Sequence, residues 1–271
     1  MSRIKKSVEY LKYLSCSLKH KRTKSEYIKD FIRNCIRADK RAYEFSDIEM
    51  HRKEMLDSEE VIKVTDYGQG SKKHTLKGKT GEYPRIYFRK LSELAKYSLK
   101  SKKECQLIAA IIDYYKPSEI LELGTALGIT TSYMAKTNPP ASIITVEGCP
   151  EIAAKAAENF EKLNVKNIRL INGSFDNALS DFSATRKRFD IIFIDGDHDY
   201  TPLMTNFSKL TDKISDRGIM IVDDIRWSGG MIKAWEEMKN HVGVSASIDI
   251  FDKGILFFNK NIEKQHLMIW Y

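Results

Sequence analysis

The segment ILELGTALGITTSYMA, residues 120–135, constrains this chain more than any other stretch. Ile120, Leu121 and Leu123 form an apolar run suited to a strand buried on both faces. Gly124 and Gly128 interrupt it, and helical character resumes at Ile129. Strand, glycine-bearing turn and helix in that order make the unit from which open α/β sheets build a nucleotide site. Backbone approaches a ligand closely at the glycines, and the first N–H groups of the helix face it. A dinucleotide fingerprint needs G-x-G-x-x-G. Here Thr125, Ala126 and Leu127 separate the glycines, giving E-x-G-x-x-x-G with Glu122 in the lead. That turn serves a nicotinamide dinucleotide poorly.

Downstream the pattern repeats. Apolar runs at 120–123, 142–147, 167–172, 189–195, 218–223, 248–251 and 255–259 read as strands, with stretches of helical length between the first six. Such alternation requires crossovers and yields a mainly parallel sheet with helices on both faces. Only Asp252, Lys253 and Gly254 join the last two runs, so these pair antiparallel. The expectation is an α/β, doubly wound, seven-stranded sheet entered through a helix that starts at the capping box Ser101/Glu104.

The preceding hundred residues read as helical. Ile4, Val8, Leu11, Leu14 and Leu18 recur at helical spacing, and Tyr27, Ile28, Phe31, Ile32, Cys35 and Ile36 form a second apolar face. Thr23/Glu26 and Ser46/Glu49 have capping-box spacing, so two or three helices precede residue 60. The stretch 67–81, rich in Gly, Lys, Ser and Thr, reads as a loop, either a lid or a linker.

In a doubly wound sheet the ligand lies beyond the carboxyl ends of the strands. Each candidate strand ends in polar residues. The first leads to Gly124 and Thr125. The second ends in Glu147, where a carboxylate can accept from both hydroxyls of a ribose. The third runs into Gly173, Ser174, Phe175 and Asp176, a small residue, an aromatic and an acid suited to an adenine. The fourth and fifth deliver Asp195, Asp197 and His198, then Asp223 and Asp224. Clustered carboxylates repel, and oxygen-rich sites suit Mg²⁺ or Ca²⁺, so Asp195, Asp223 and Asp224 are candidate metal ligands. His198 is the candidate proton acceptor, with Asp195 beside it as a second catalytic candidate. The alternative is structural: Asp197, His198 and Asp199 cap the next helix and Asp223 bonds backbone amides. Trp227, Met231 and Trp235 either line an acceptor pocket or pack the core.

Apolar and charged fractions of 42% and 30% over 271 residues fit a globular protein with one α/β domain and an appendage. No apolar run approaches the roughly 18 residues of a membrane span, and MSRIKKSVEY lacks a signal-peptide core, so a cytoplasmic location is expected. Cys16, Cys35, Cys105 and Cys149 lack C-x-x-C spacing and read as buried thiols. Residues 1–104 hold 27 Lys/Arg against 15 Asp/Glu, a net of +12, and the remainder 18 against 22, a net of −4. The basic half is either a solvated helical surface or a face for nucleic acid or an anionic acceptor.

Glu122, Gly124 and Gly128 resemble motif I of class I S-adenosylmethionine-dependent methyltransferases. ILELGTALGITTSYMA, TVEGCPE, GSFDNAL, FIDGDHDY and VDDIRWSGGMIKAW together resemble a bacterial group of that family with a helical N-terminal extension, related to catechol-type and sugar-type O-methyltransferases. The resemblance implies a Rossmann-like fold, with residues 1–100 as helical extension and lid and 101–271 as the cofactor-binding domain. It implies S-adenosylmethionine held by Glu122, Gly124, Thr125, Gly128, Thr130, Glu147, Gly148, Ser174, Phe175 and Asp195, and a divalent metal. The catechol type places a lysine three residues after its metal-binding Asp, where this chain has His198. Arg226 stands where the bacterial group usually has His. A small-molecule hydroxyl is the implied acceptor, RNA the second acceptor class, and a non-catalytic binding protein the third reading; a second copy of the chain is an open partner. Lys72, Lys73, Lys77 and Lys79 would attract an anionic acceptor.

Overall fold

The computed structural model describes residues 3–19, 23–66 and 85–271. The expected lid at 67–81, with its four lysines, lies outside the described residues. In chain order the elements are α1 (Arg3–Lys19), α2 (Glu26–Phe31, running into a π-helical turn at Ile32–Ile36), a 3₁₀ turn (Lys40–Tyr43), α3 (Ser46–Leu56), β1 (Val61–Asp66), β2 (Arg85–Lys90), α4 (Leu91–Ser98) and α5 (Lys102–Tyr115). The alternating part follows: β3 (Glu119–Leu123), α6 (Ile129–Thr137), β4 (Ser142–Glu147), α7 (Pro150–Lys162), β5 (Ile168–Asn172), α8 (Phe175–Ser183), β6 (Phe189–Ile194), α9 (Tyr200–Thr211), β7 (Ile214–Val222), α10 (Gly229–Asn240), β8 (Ala246–Asp249), β9 (Gly254–Phe257) and β10 (Gln265–Met268).

The main sheet has eight strands in the order β10-β8-β9-β7-β6-β3-β4-β5, and β1 pairs with β2 in a separate ribbon. Strand β9 runs antiparallel to its neighbours β7 and β8. The seven expected strands are present, and β10, parallel to β8, is an addition. Among the described residues no helix is long and apolar enough to cross a membrane.

The chain forms two compact units, Ala38–Ala178 and Met1–Arg37 with Leu179–Tyr271, which do not follow a boundary at residue 100. In the first, β3, β4 and β5 pair in parallel register, Leu121 opposite Ile144 and Thr145 opposite Leu170. Helix α5 is buried from Cys105 to Ile112 and carries the expected capping box, Ser101 with Glu104. Helix α3 begins at Ser46 as expected, but Phe45 is its cap residue and no side chain caps it. His51 on α3 bonds Asn159 of α7 at 2.8 Å, and Asn159 in turn donates to the Leu127 carbonyl at 2.9 Å. The ribbon is two-faced: Ile62 and Val64 are buried, whereas Val61, Ile86 and Phe88 are exposed.

In the second unit β6 and β7 are parallel, and β8, β9 and β10 complete the edge. Ser25, not Thr23, caps α2; Thr23 instead donates to Gln265 at the start of β10. Helix α1 also buries an unexpected side. Leu11 is 65% exposed, and the helix is held by Tyr13, whose hydroxyl donates to the Ile269 carbonyl and whose ring lies 5.3 Å from that of Phe251. Burial first, and then the Asp249 carboxylate, push the Tyr13 hydroxyl far above its usual range, so it stays a donor. Helical periodicity identifies an apolar stripe but not whether an aromatic beside it finds the better partner.

Candidate functional site

The glycine turn is built from beneath. Beyond β3 the chain enters left-handed backbone at Gly124 (φ 103°), Ala126 (φ 47°) and Gly128 (φ 78°). The N–H groups of Gly124 and Thr125 both donate to the Val146 carbonyl, at 3.0 and 3.2 Å. Glu122 is fully buried under this turn. Its carboxylate accepts from Thr131 at 2.5 Å and Thr145 at 2.6 Å. Since Thr145 donates to Glu122, the 2.6 Å contact between Thr125 and Thr145 has Thr125 as donor. Glu122 therefore fixes the turn through hydroxyls, with no surface left for a ligand. Thr130 is likewise buried, its hydroxyl 3.9 Å from the Cys105 sulfur, so it offers backbone rather than side chain.

Glu147, half-buried at the end of β4, spans two segments. One carboxylate oxygen accepts from the Ala126 N–H of the turn and the other from the Cys149 N–H, each at 3.0 Å. An ionised carboxylate offers about four lone-pair sites, and these two bonds use one on each oxygen. Burial pushes the neighbouring Cys149 thiol up, keeping it protonated beside this carboxylate. A Cβ placed on Gly148 or Gly173 would meet nothing within 4 Å, so the backbone after β4 and β5 faces open space. Asn172 ties these two ends together, donating to the Glu147 carbonyl at 2.9 Å. Ser174 accepts from the Asn177 N–H at 3.2 Å, and Phe175 beside it is 9% exposed. A carboxylate at Glu147, open backbone at Gly148 and Gly173 and Phe175 beside them are groups that fit an adenosine-bearing cofactor.

The acid-rich strand ends belong to the other unit. Ile194 pairs with Val222, so β6 and β7 release Asp195 and Asp223 at one edge. The Asp223 N–H donates to the Ile194 carbonyl at 2.9 Å. Asp197, at φ 53° and 6% exposed, accepts from Asn206 at 2.9 Å. Asp199 caps α9 through the Tyr200 N–H at 3.1 Å. Both are structural. His198 differs, because its Nδ1 makes no hydrogen bond and lies 3.9 Å from an Asp224 carboxylate oxygen. Its ring is 5.7 Å from Trp227. Met231 and Trp235, 1% and 3% exposed, belong to the core.

The metal expected on Asp195, Asp223 and Asp224 does not fit. Among the described residues no three His, Cys, Asp or Glu side chains gather where a metal could be held. The reason is Lys253, whose ammonium lies 2.8 Å from Asp223 with both side chains almost wholly buried. A second buried ion pair, Arg226 on Asp249 through two bonds of 2.8 and 2.7 Å, fastens the strand ends. Sequence reading placed Lys253 only in a turn and did not single out Asp249; their signal was a charge inside an otherwise apolar strand or turn.

The profile of a family described as "Methyltransferase domain" matches residues 121–225. An uncharacterised protein of Acanthamoeba polyphaga mimivirus is 30% identical over 125 residues, 42% of this chain and 56% of that one. A tRNA (guanine-N(7)-)-methyltransferase of Mycoplasma mobile is 45% identical over 56 residues, 21% of this chain and 28% of that one. The chain thus spans about half or less of the curated relatives it matches. Among solved structures, the O-methyltransferase of Bacillus cereus in complex with SAH aligns with a TM-score of 0.54 at 20% identity, covering 60% of this chain and 84% of the other. The O-methyltransferase TomG of Streptomyces achromogenes, in complex with SAM, gives 0.53 at 18% identity, covering 59% and 81%. Residues 121–225 thus match a methyltransferase domain family, and the chain has the fold of the class I S-adenosylmethionine-dependent methyltransferases.

Proposed function

We propose that this protein transfers a methyl group from S-adenosylmethionine to an oxygen of a small hydroxylated molecule. The observation that carries the reading is Glu147, a half-buried carboxylate bonded to the glycine turn and set beside open backbone at Gly148. Glu147 would accept from the ribose hydroxyls, Ser174 and Phe175 would flank the adenine, and Gly124 and Gly128 would let the main chain approach. When bound, the cofactor supplies an already activated methyl group, so the protein's task is to orient an oxygen and exclude water. His198 takes the hydroxyl proton of the acceptor, and Asp224 stabilises the resulting imidazolium.

Calorimetry with S-adenosylhomocysteine tests the cofactor half. Wild-type protein should bind, and Glu147→Ala should bind about 100-fold more weakly, the loss of two hydrogen bonds to a charged acceptor. No binding by the wild-type chain would leave only a scaffold role. His198→Ala should keep that affinity and lower turnover about 100-fold; undiminished turnover would remove His198 from the mechanism. RNA is a second acceptor reading, supported by the net +12 of residues 1–104 and the tRNA-modifying relative. Filter binding that weakens steeply with salt would favour it.

A further inference from the structure

We propose that Lys253 takes the place of a divalent cation at the end of β7, so that Asp223 is not a metal ligand and this edge works without metal. Strand register brings the two together. Val222 pairs with Gly254 in the antiparallel β7–β9 ladder, and one step further along that ladder sets Asp223 opposite Lys253. The turn carrying the lysine is fixed by its own backbone: the Ile250 N–H donates to the Lys253 carbonyl at 2.9 Å, and the Ile225 N–H to that of Asp252 at 3.1 Å. Lys253 is not a surface side chain that happens to reach inward. It is 3% exposed, Asp223 is 2% exposed, and their charged atoms are 2.8 Å apart.

Two buried opposite charges at this distance neutralise each other, whereas either alone would be strongly disfavoured. A divalent ion on the same carboxylate would meet the ammonium at close range in a poorly screened interior, so the two cations exclude each other. Without Asp223 the expected three-carboxylate set is reduced to Asp195 and Asp224, and among the described residues no third His, Cys, Asp or Glu joins them. Lys253 thus supplies one positive charge permanently, where a metal would supply two reversibly. That this helps methyl transfer rests on the proposed function; the exclusion of the cation does not.

The test needs no activity. Mn²⁺ and Mg²⁺ added to the wild-type chain should give no saturable heat by calorimetry and no rise in unfolding temperature. Lys253→Ser should lower the unfolding temperature by about 10 °C, because it strands a buried carboxylate. Mn²⁺ should then restore much of the loss, but not in a Lys253→Ser/Asp223→Asn double variant. Lys253→Arg should remain indifferent to Mn²⁺. Saturable Mn²⁺ binding by the wild-type chain that Asp223→Asn removes would overturn the proposal even if Lys253→Ser fails to fold. Turnover abolished by chelator and restored by Mg²⁺ would overturn it as well.

Discussion

Asp249→Ala is expected to cost about 3–5 kcal/mol of folding stability, measured by urea denaturation, the usual consequence of removing one partner from a buried ion pair. The Arg226 guanidinium, 9% exposed, gives Asp249 two parallel hydrogen bonds and the Phe251 carbonyl a third at 2.7 Å. The rings of Tyr13 and Phe251 lie 5.5 and 5.1 Å from its centre. Without the carboxylate, the charge stays where water cannot reach it. Asp249 also accepts from the Phe251 N–H at 2.9 Å, and Phe251 sits in left-handed backbone at φ 78°. The substitution therefore also loosens a turn that a bulky residue adopts only under constraint. Asp249→Leu combined with Arg226→Met should be far milder than either single change. Equal losses in single and double variants would show that the pair does not hold the charge in place.

Gly128→Val should lower stability by about 3 kcal/mol and abolish binding of S-adenosylhomocysteine. Two independent costs add. At φ 78° a side chain costs roughly 1–2 kcal/mol. A Cβ there would stand 2.5 Å from Cε1 of Phe160 and 2.8 Å from its Cζ, an overpacking worth roughly 1–3 kcal/mol. Phe160 is a buried residue of α7, so it cannot swing clear without moving that helix. Relief comes only in part from Phe160→Leu, which removes the collision and leaves the backbone strain. A fully rescued double variant would show that φ contributes nothing.

Much of the sheet was legible because its strands are apolar runs that stop at acids. In β3, β4, β6 and β7 four or five consecutive buried residues followed by Gly, Glu or Asp announce both the strand and the edge where it ends. β10 escaped notice since, of Gln265, His266, Leu267 and Met268, only Leu267 is buried, so no alternation shows. The glycine turn was legible as a turn, but the part played by Glu122 was not. A carboxylate in such a motif looks alike in sequence whether it faces a ligand or, as here, two threonines beneath the loop. The cation-displacing lysine was hidden for a different reason. Asp223 and Lys253 are thirty positions apart, and only the ladder between β7 and β9 makes them neighbours. Arg226 stood out only as a departure from the resembling bacterial group, which usually has His there, and its partner Asp249 could be found only once β8 was placed.

The grouping of Met1–Arg37 with Leu179–Tyr271 has a consequence for how the chain is made. A ribosome adding about 5–20 residues per second would finish the last strands roughly 10–50 s after α1 and α2 emerge. For that interval Phe31 and Tyr13 lack the aromatic partners Phe257 and Phe251 that receive them in the folded protein. Ala38–Ala178, by contrast, is contiguous and can collapse while synthesis continues. The leading helices are the segment that a chaperone would be expected to hold.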